Sequence, residues 1–235
     1  MKLEVKDLVK KYDTNLVLDN VNTIFESGKI YGLIGRNGAG KTTFFNCLNQ
    51  DVSIDNGYFF LTDEFGERSL NTNDIGYVVS TPTVPEFLTA REFLEFFLEI
   101  NENKIDKVKS IDEYFKLVSL DKKDQDKLLK DYSHGMKNKI QILVNIIANP
   151  KVILLDEPLT SLDIVVQEQI KKILKGLKKD HIIIFSTHIL EIAMDLCDEI
   201  LILNDKKISK IEKNDLNKTK YKEKIINSLK DVKND

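Results

Sequence analysis

Residues Gly35-Arg36-Asn37-Gly38-Ala39-Gly40-Lys41-Thr42-Thr43 carry the G-x-x-x-x-G-K-T spacing of a Walker A phosphate loop. Glycines at that spacing let successive backbone N–H groups turn inward as an anion nest. A helix that follows aims its positive N-terminus at the same point. In this chemistry Lys41 reaches the β- and γ-phosphates of a nucleotide and the Thr42 hydroxyl binds Mg²⁺. A second reactive group is Leu154-Leu155-Asp156-Glu157-Pro158. Asp156 stands at the carboxyl end of an apolar run, where α/β sheets place ligand groups, and is expected to hold Mg²⁺ together with Thr42. Glu157, next along, is expected to point the other way and to act on water as a general base. Ser186-Thr187-His188 follows the next apolar run, so His188 is expected to face the γ-phosphate from the same edge.

The flanking residues supply the elements such groups need. Ile30-Tyr31-Gly32-Leu33-Ile34 leads into the loop as a buried strand would, and Thr42-Thr43-Phe44-Phe45-Asn46-Cys47-Leu48 leads out as a helix. Residues 2–9 alternate like an edge strand, with Tyr12 in the charged turn after it; Val21 to Phe25, Tyr58 to Leu61 and Ile75 to Val79 read as further strands. Thr89-Ala90-Arg91-Glu92 and Ser110-Ile111-Asp112-Glu113 are capping boxes that open helices, the first running to Ile100. Asn101 to Lys109 and Asp121 to Asp131 are charged and loop-like. Ser133 opens a longer helix, with Met136, Ile140, Leu143 and Ile147 on one face and Asn149-Pro150 as its stop. Apolar strands then alternate with helices through Val152–Leu155, Leu162–Lys179, Ile182–Phe185, Ile189–Leu196 and Ile200–Leu203, the pattern of a parallel sheet covered on both faces. The 115 positions from Lys41 to Asp156 far exceed the roughly 30 of a bare strand–helix–strand unit, so something is inserted, and the helical block over 82–135 is the candidate.

At 235 residues, 42% hydrophobic and 31% charged, the chain is long enough for one large domain, and its net charge of −3 gives no pull toward nucleic acid. Cys47 and Cys197 stand far apart without metal spacing and read as free thiols in a reducing compartment. The start lacks the pattern of a signal peptide and no apolar run reaches the length of a membrane span, so a cytoplasmic chain is expected. From Asn204 onward ten lysines meet six acids. That stretch reads as a hairpin and then a solvated helix around Tyr221 to Val232, with a partner or membrane-surface contact as the sharper alternative.

In this order, the motifs resemble those of an ABC transporter ATPase subunit, over nearly the whole chain. Tyr12 sits where that family stacks an aromatic on adenine, and Tyr132-Ser133-His134-Gly135-Met136 occupies its signature position. Val152 to Glu157 is its Walker B, Ser161-Leu162-Asp163 its D-loop and His188 its switch histidine. The resemblance implies an α/β P-loop NTPase: a RecA-like parallel sheet and an N-terminal antiparallel β region over 1–81 and 136–204, an all-helical signature subdomain over 82–135, and a C-terminal hairpin and helix over 205–235. It also implies ATP and Mg²⁺ as ligands, a homodimer or heterodimer with another ABC ATPase, and a separate transmembrane permease holding the chain at the inner face of the membrane. Ser133, His134, Gly135 and Met136 of one subunit would meet ATP held by the other.

Two residues depart from the family pattern. The signature is Y-S-H-G-M where L-S-G-G-Q is usual; Ser133 and Gly135 remain, and the variant resembles the drug- and peptide-exporter branch. After Ile75-Gly76-Tyr77-Val78 the family shows a proline and a glutamine that touches Mg²⁺ or its water, whereas the aligned residue here is Ser80. A serine is too short to take that place directly and is expected to act through a water, with slower or more partner-dependent hydrolysis. Export through a permease is the resulting expectation. The alternatives are a soluble ABC-type ATPase acting on ribosomes or DNA, a regulatory nucleotide-binding module, and a phosphate-loop kinase, which the signature, D-loop and His188 disfavour.

Overall fold

The computed structural model describes residues 1–102, 105, 109–160, 162–211 and 218–230. The chain runs β1 (Lys2–Tyr12), β2 (Asn15–Glu26), β3 (Ile30–Ile34), α1 (Lys41–Leu48), β4 (Asn56–Asp63), β5 (Gly66–Ser69), β6 (Ile75–Val78), α2 (Ala90–Ile100), α3 (Ile111–Leu117) and α4 (His134–Ala148). It continues with β7 (Val152–Asp156), α5 (Ile164–Leu177), β8 (Ile182–Thr187), α6 (Leu190–Leu196), β9 (Glu199–Asn204), β10 (Lys207–Ile211) and α7 (Lys218–Lys230).

Six strands form the central sheet in the order β10-β9-β3-β8-β7-β6, parallel except for β10 at one edge. Every residue of β3, β7 and β8 is buried, because both sheet faces are covered. Alternate residues of β7 show this. Val152 and Leu154 enter a cluster with Phe25, Phe44 and Leu61, under the antiparallel sheet β2-β1-β4-β5 and α1. Ile153 and Leu155 enter the opposite cluster, with Ile170 and Leu174 of α5 and Leu196 of α6. The helical block has its own cluster of Leu94, Phe115, Leu129, Leu143 and Ile147. Helix α4 ties the block to the sheet, since Ile142 faces the second cluster while Ile140 and Leu143 face the third.

The α/β architecture with its helical insertion is as the sequence implies, and both capping boxes close as hydrogen-bonded boxes at Thr89 and Ser110. Three details differ. Strands β1 and β2 are longer than the alternation indicates, because register shifts between Val5 and Leu8 and between Leu8 and Lys10 break the period of two. Tyr12 is consequently the last residue of β1, paired with Asn15, and the turn is Asp13-Thr14. Strand β5 is exposed throughout and so leaves no hydrophobic pattern. The stretch read as loop over 121–131 holds two short 3₁₀ turns, Lys122–Asp124 and Leu129–Asp131. Both cysteines are free. Among the described residues no helix is long and apolar enough to cross a membrane. Ser161, positions 103, 104 and 106–108 of the expected charged loop, and the end of the expected C-terminal helix at 231–232 lie outside the described residues.

Candidate nucleotide-binding site

The loop between β3 and α1 turns on itself, with Ala39 N donating to Arg36 O at 3.1 Å and Phe44 N to Gly40 O at 2.8 Å. Gly40 has φ 105°, and a Cβ there would lie 2.9 Å from Val17 Cγ1 on β2, so both conformation and space require glycine. No side chain caps the N-terminus of α1, which leaves its first N–H groups for an anion. The buried Lys41 ammonium donates to the Gly35 and Arg36 carbonyls at 3.0 and 3.3 Å and lies 3.6 Å from Glu157 Oε1.

Across the loop, Asp156 ends β7. Thr42 Oγ1 donates to its Oδ2 at 2.7 Å, and Ser186 Oγ on β8 donates to its Oδ1. Glu157 does not continue the strand. Its φ of 50° is left-handed, its N–H donates to Ser186 Oγ at 3.0 Å, and its carboxylate accepts from Thr160 Oγ1 at 3.1 Å and meets His188 Nδ1 at 2.9 Å. The expectation that Glu157 points away from Asp156 is therefore corrected. Strand alternation would separate the two side chains, but the backbone leaves the strand at Glu157, and both carboxylates line one cleft. The Asp156 charge extends to the second-row Tyr77, whose phenol is pushed up first by burial and then by that charge.

The cleft encloses about 480 Å³, within the range of small-molecule sites. Tyr12, Ser80, Asp156 and Glu157 line it, together with Asn37, Gly38, Gly40, Lys41, Thr42 and Thr43 of the loop. Among the described residues, Gly35, Arg36 and Ala39 of the loop are outside that lining, and Arg36 and Ala39 line a neighbouring hollow beside the β9–β10 turn. Tyr12 is 43% exposed, with Lys10 Nζ 4.7 Å from its ring centroid, so one ring face is packed by a cation. Ser80 is exposed at the cleft wall. Among the described residues no cluster of three His, Cys, Asp or Glu side chains forms a closed metal cage. The adjacent Thr42 and Asp156 oxygens do suit Mg²⁺, which keeps several waters and takes one or two protein ligands beside phosphates.

The signature residues stand elsewhere. Ser133 caps α4, accepting from Met136 N at 3.3 Å, while Asp163 caps α5, accepting from Val166 N at 3.0 Å. A Cβ on the buried Gly135 would meet Leu162 and Val166 at 3.3 and 3.4 Å, so the two helix starts are in contact. Among the described residues, Ser133, His134, Gly135, Met136 and Asp163 are absent from the cleft lining. Sequence reasoning missed Ser186 and Thr160 as partners of the acidic pair. Ser186 had a signal, a small polar residue directly after the apolar run Ile182-Ile183-Ile184-Phe185; Thr160 had none.

A phosphate loop beside a carboxylate-bearing strand, at the carboxyl edge of a parallel sheet, defines a phosphate-loop nucleotide-binding protein. The family model described as ABC transporter matches residues 18–160. The chain is 32% identical over 215 residues to the lantibiotic transport ATP-binding protein SrtF of Streptococcus pyogenes, covering 88% of each. It is 27% identical to the spermidine/putrescine import ATP-binding protein PotA of Spiroplasma citri, covering 89% of this chain and 61% of that one. A solved structure described as an ATP binding subunit of an ABC transporter superposes with a TM-score of 0.77 at 26% identity, covering 92% of this chain and 91% of the other. The chain belongs to the ABC transporter family, as an ATP-binding subunit of that family.

Proposed function

We propose that this subunit binds ATP with Mg²⁺ and hydrolyses it to drive export through a separate membrane permease. The observation that carries the hydrolytic reading is the convergence of Lys41, Thr42, Asp156 and Glu157 in one cleft, with His188 on the Glu157 carboxylate. The loop N–H groups and Lys41 bind the phosphates, and Tyr12 offers a ring face for adenine. Thr42 and Asp156 would hold Mg²⁺, with Ser80 reaching its hydration shell through a water; when bound, the ion would supply neutralisation of the phosphate charge. Glu157 takes the proton of the attacking water as that oxygen bonds to the γ-phosphorus and the bond to the β–γ bridging oxygen breaks. Lys41 and His188 stabilise the charge on the transferring group.

Among the described residues, the cleft lining includes no signature residue of its own chain, which supports a two-subunit site in which Ser133, His134, Gly135 and Met136 of a second ABC ATPase, identical or different, close over the γ-phosphate, with Asp163 at the junction. In this reading 1–81 and 136–204 form the nucleotide core and 82–135 the signature subdomain. The helices beginning near Thr89 and the Ser80 loop meet the permease at the inner face of the membrane. Export rather than import rests on the Y-S-H-G-M signature at Tyr132–Met136. A second reading, a regulatory module with weak hydrolysis, is favoured by Ser80.

ATPase rate with Mg²⁺ across protein concentration, beside Glu157→Gln, tests the proposal. We expect a specific rate that rises with concentration and falls by about a hundredfold or more in Glu157→Gln, at the scale of general-base removal, with ATP binding kept. Binding without turnover at any concentration would favour the regulatory reading.

A further inference from the structure

We infer that Ser186 is the positioning residue of the acidic pair: its single hydroxyl fixes Asp156 toward Thr42 and pins Glu157 in the left-handed turn that brings its carboxylate into the cleft. This rests on the roles proposed above for Asp156 and Glu157. Ser186 is fully buried and stands directly opposite Asp156 in the β7–β8 register. A hydroxyl has one hydrogen to give and lone pairs to receive, and here both uses fall on adjacent residues. The hydrogen goes to Asp156 Oδ1, and a lone pair receives the Glu157 N–H at 3.0 Å. With Thr42 on Oδ2 at 2.7 Å, the Asp156 carboxylate is gripped at both oxygens and cannot rotate freely.

The backbone gives the second half of the argument. A non-glycine residue at φ 50° stands in a strained region that persists only when its surroundings enforce it. Ser186 supplies that enforcement at the point where the chain leaves β7. Without the oxygen, the Glu157 N–H loses its partner and the extended conformation, which carries the side chain to the opposite face, becomes the easier one. The rest of the run, Ile182 to Phe185, is apolar and buried, so packing alone would be served as well by alanine.

The test pairs turnover with a binding measurement. Ser186→Ala is expected to lower turnover by about 10- to 100-fold, the usual cost of removing a residue that orients a metal ligand. In a Glu157→Gln background, fluorescent-nucleotide titrations with and without Mg²⁺ separate positioning from folding. Adding Ser186→Ala should shrink the Mg²⁺-dependent gain in ATP affinity by about tenfold and leave Mg²⁺-free affinity unchanged. Ser186→Thr, which keeps the hydroxyl, should recover the gain, and Ser186→Cys, a weak donor of similar size, should fall between. Wild-type turnover and Mg²⁺ gain in Ser186→Ala would overturn the inference. So would a proportional loss of Mg²⁺-free binding and thermal stability without rescue by Thr, the result of a purely structural role. Retained turnover in Glu157→Gln alone would instead refute the underlying assignment of the base.

Discussion

At the scale of single residues, Ser80 is the position at which this cleft is least complete. Its side chain stands exposed on the wall that also presents Thr42 and Asp156, and it extends only one atom beyond Cβ. A longer amide can reach what a serine hydroxyl reaches only through water. Ser80→Gln is therefore expected to raise the basal ATPase rate by about tenfold, the low end of effects from a metal's outer contacts. An unchanged steady-state rate would mean that Ser80 does not limit turnover. The types and order of the other site residues were legible because phosphate binding demands a glycine spacing and a lysine that few other functions share. The direction of Glu157 was not legible. It depends on one backbone angle, set by a hydroxyl 29 positions later in the chain, and strand alternation predicts the opposite.

At the scale of elements, caps were readable and exposed strands were not. Thr89 and Ser110 announce their helices because the bonds that cap a helix are local in sequence. Strand β5, exposed on every residue, is placed by pairing with β4 and by a tie no local pattern reveals: Arg68 on β5 donates to both oxygens of Asp74 at 2.7 and 2.6 Å. The Arg68 contact, outweighing burial, holds the Asp74 carboxyl below its ordinary 3.8. A carboxyl lowered on folding contributes stability that is complete above its unfolded value and is lost as pH falls through the folded one. With Arg68 41% exposed on its side chain, the pair is worth about 1 kcal/mol. Asp74→Asn should accordingly lower stability by about that amount at pH 7, and the difference from the parent should close below pH 3.8. Urea midpoints at both pH values decide it, and a gap that persists in acid would remove the ionic explanation.

At the scale of the molecule, the distribution of apolar surface bears on how the site is completed. Among the described residues, the signature is absent from the cleft that the phosphate loop lines, as the sequence resemblance implies for a site shared between two subunits. Beside the signature, α5 opens with Ile164 and Val165, 77% and 68% exposed, next to Leu162 and Val166, which pack on Gly135. Adjacent exposed β-branched residues at a helix start gain nothing from water, and an apolar patch next to polar machinery marks a contact surface. If a second subunit covers it when ATP is enclosed, charging the patch should oppose association without touching the cleft. Aspartate is the suitable replacement, because both positions lie in the first turn after the Asp163 cap, where a negative charge favours the helix and the fold is preserved. Ile164→Asp/Val165→Asp is expected to bind ATP with parental affinity while the concentration giving half-maximal specific ATPase rate rises by about tenfold, a change of about 1.4 kcal/mol in association. The measurement is the specific rate as a function of protein concentration, with sedimentation of the Glu157→Gln forms in MgATP as its equilibrium counterpart. Parental behaviour in both would show that this patch lies outside the contact between subunits.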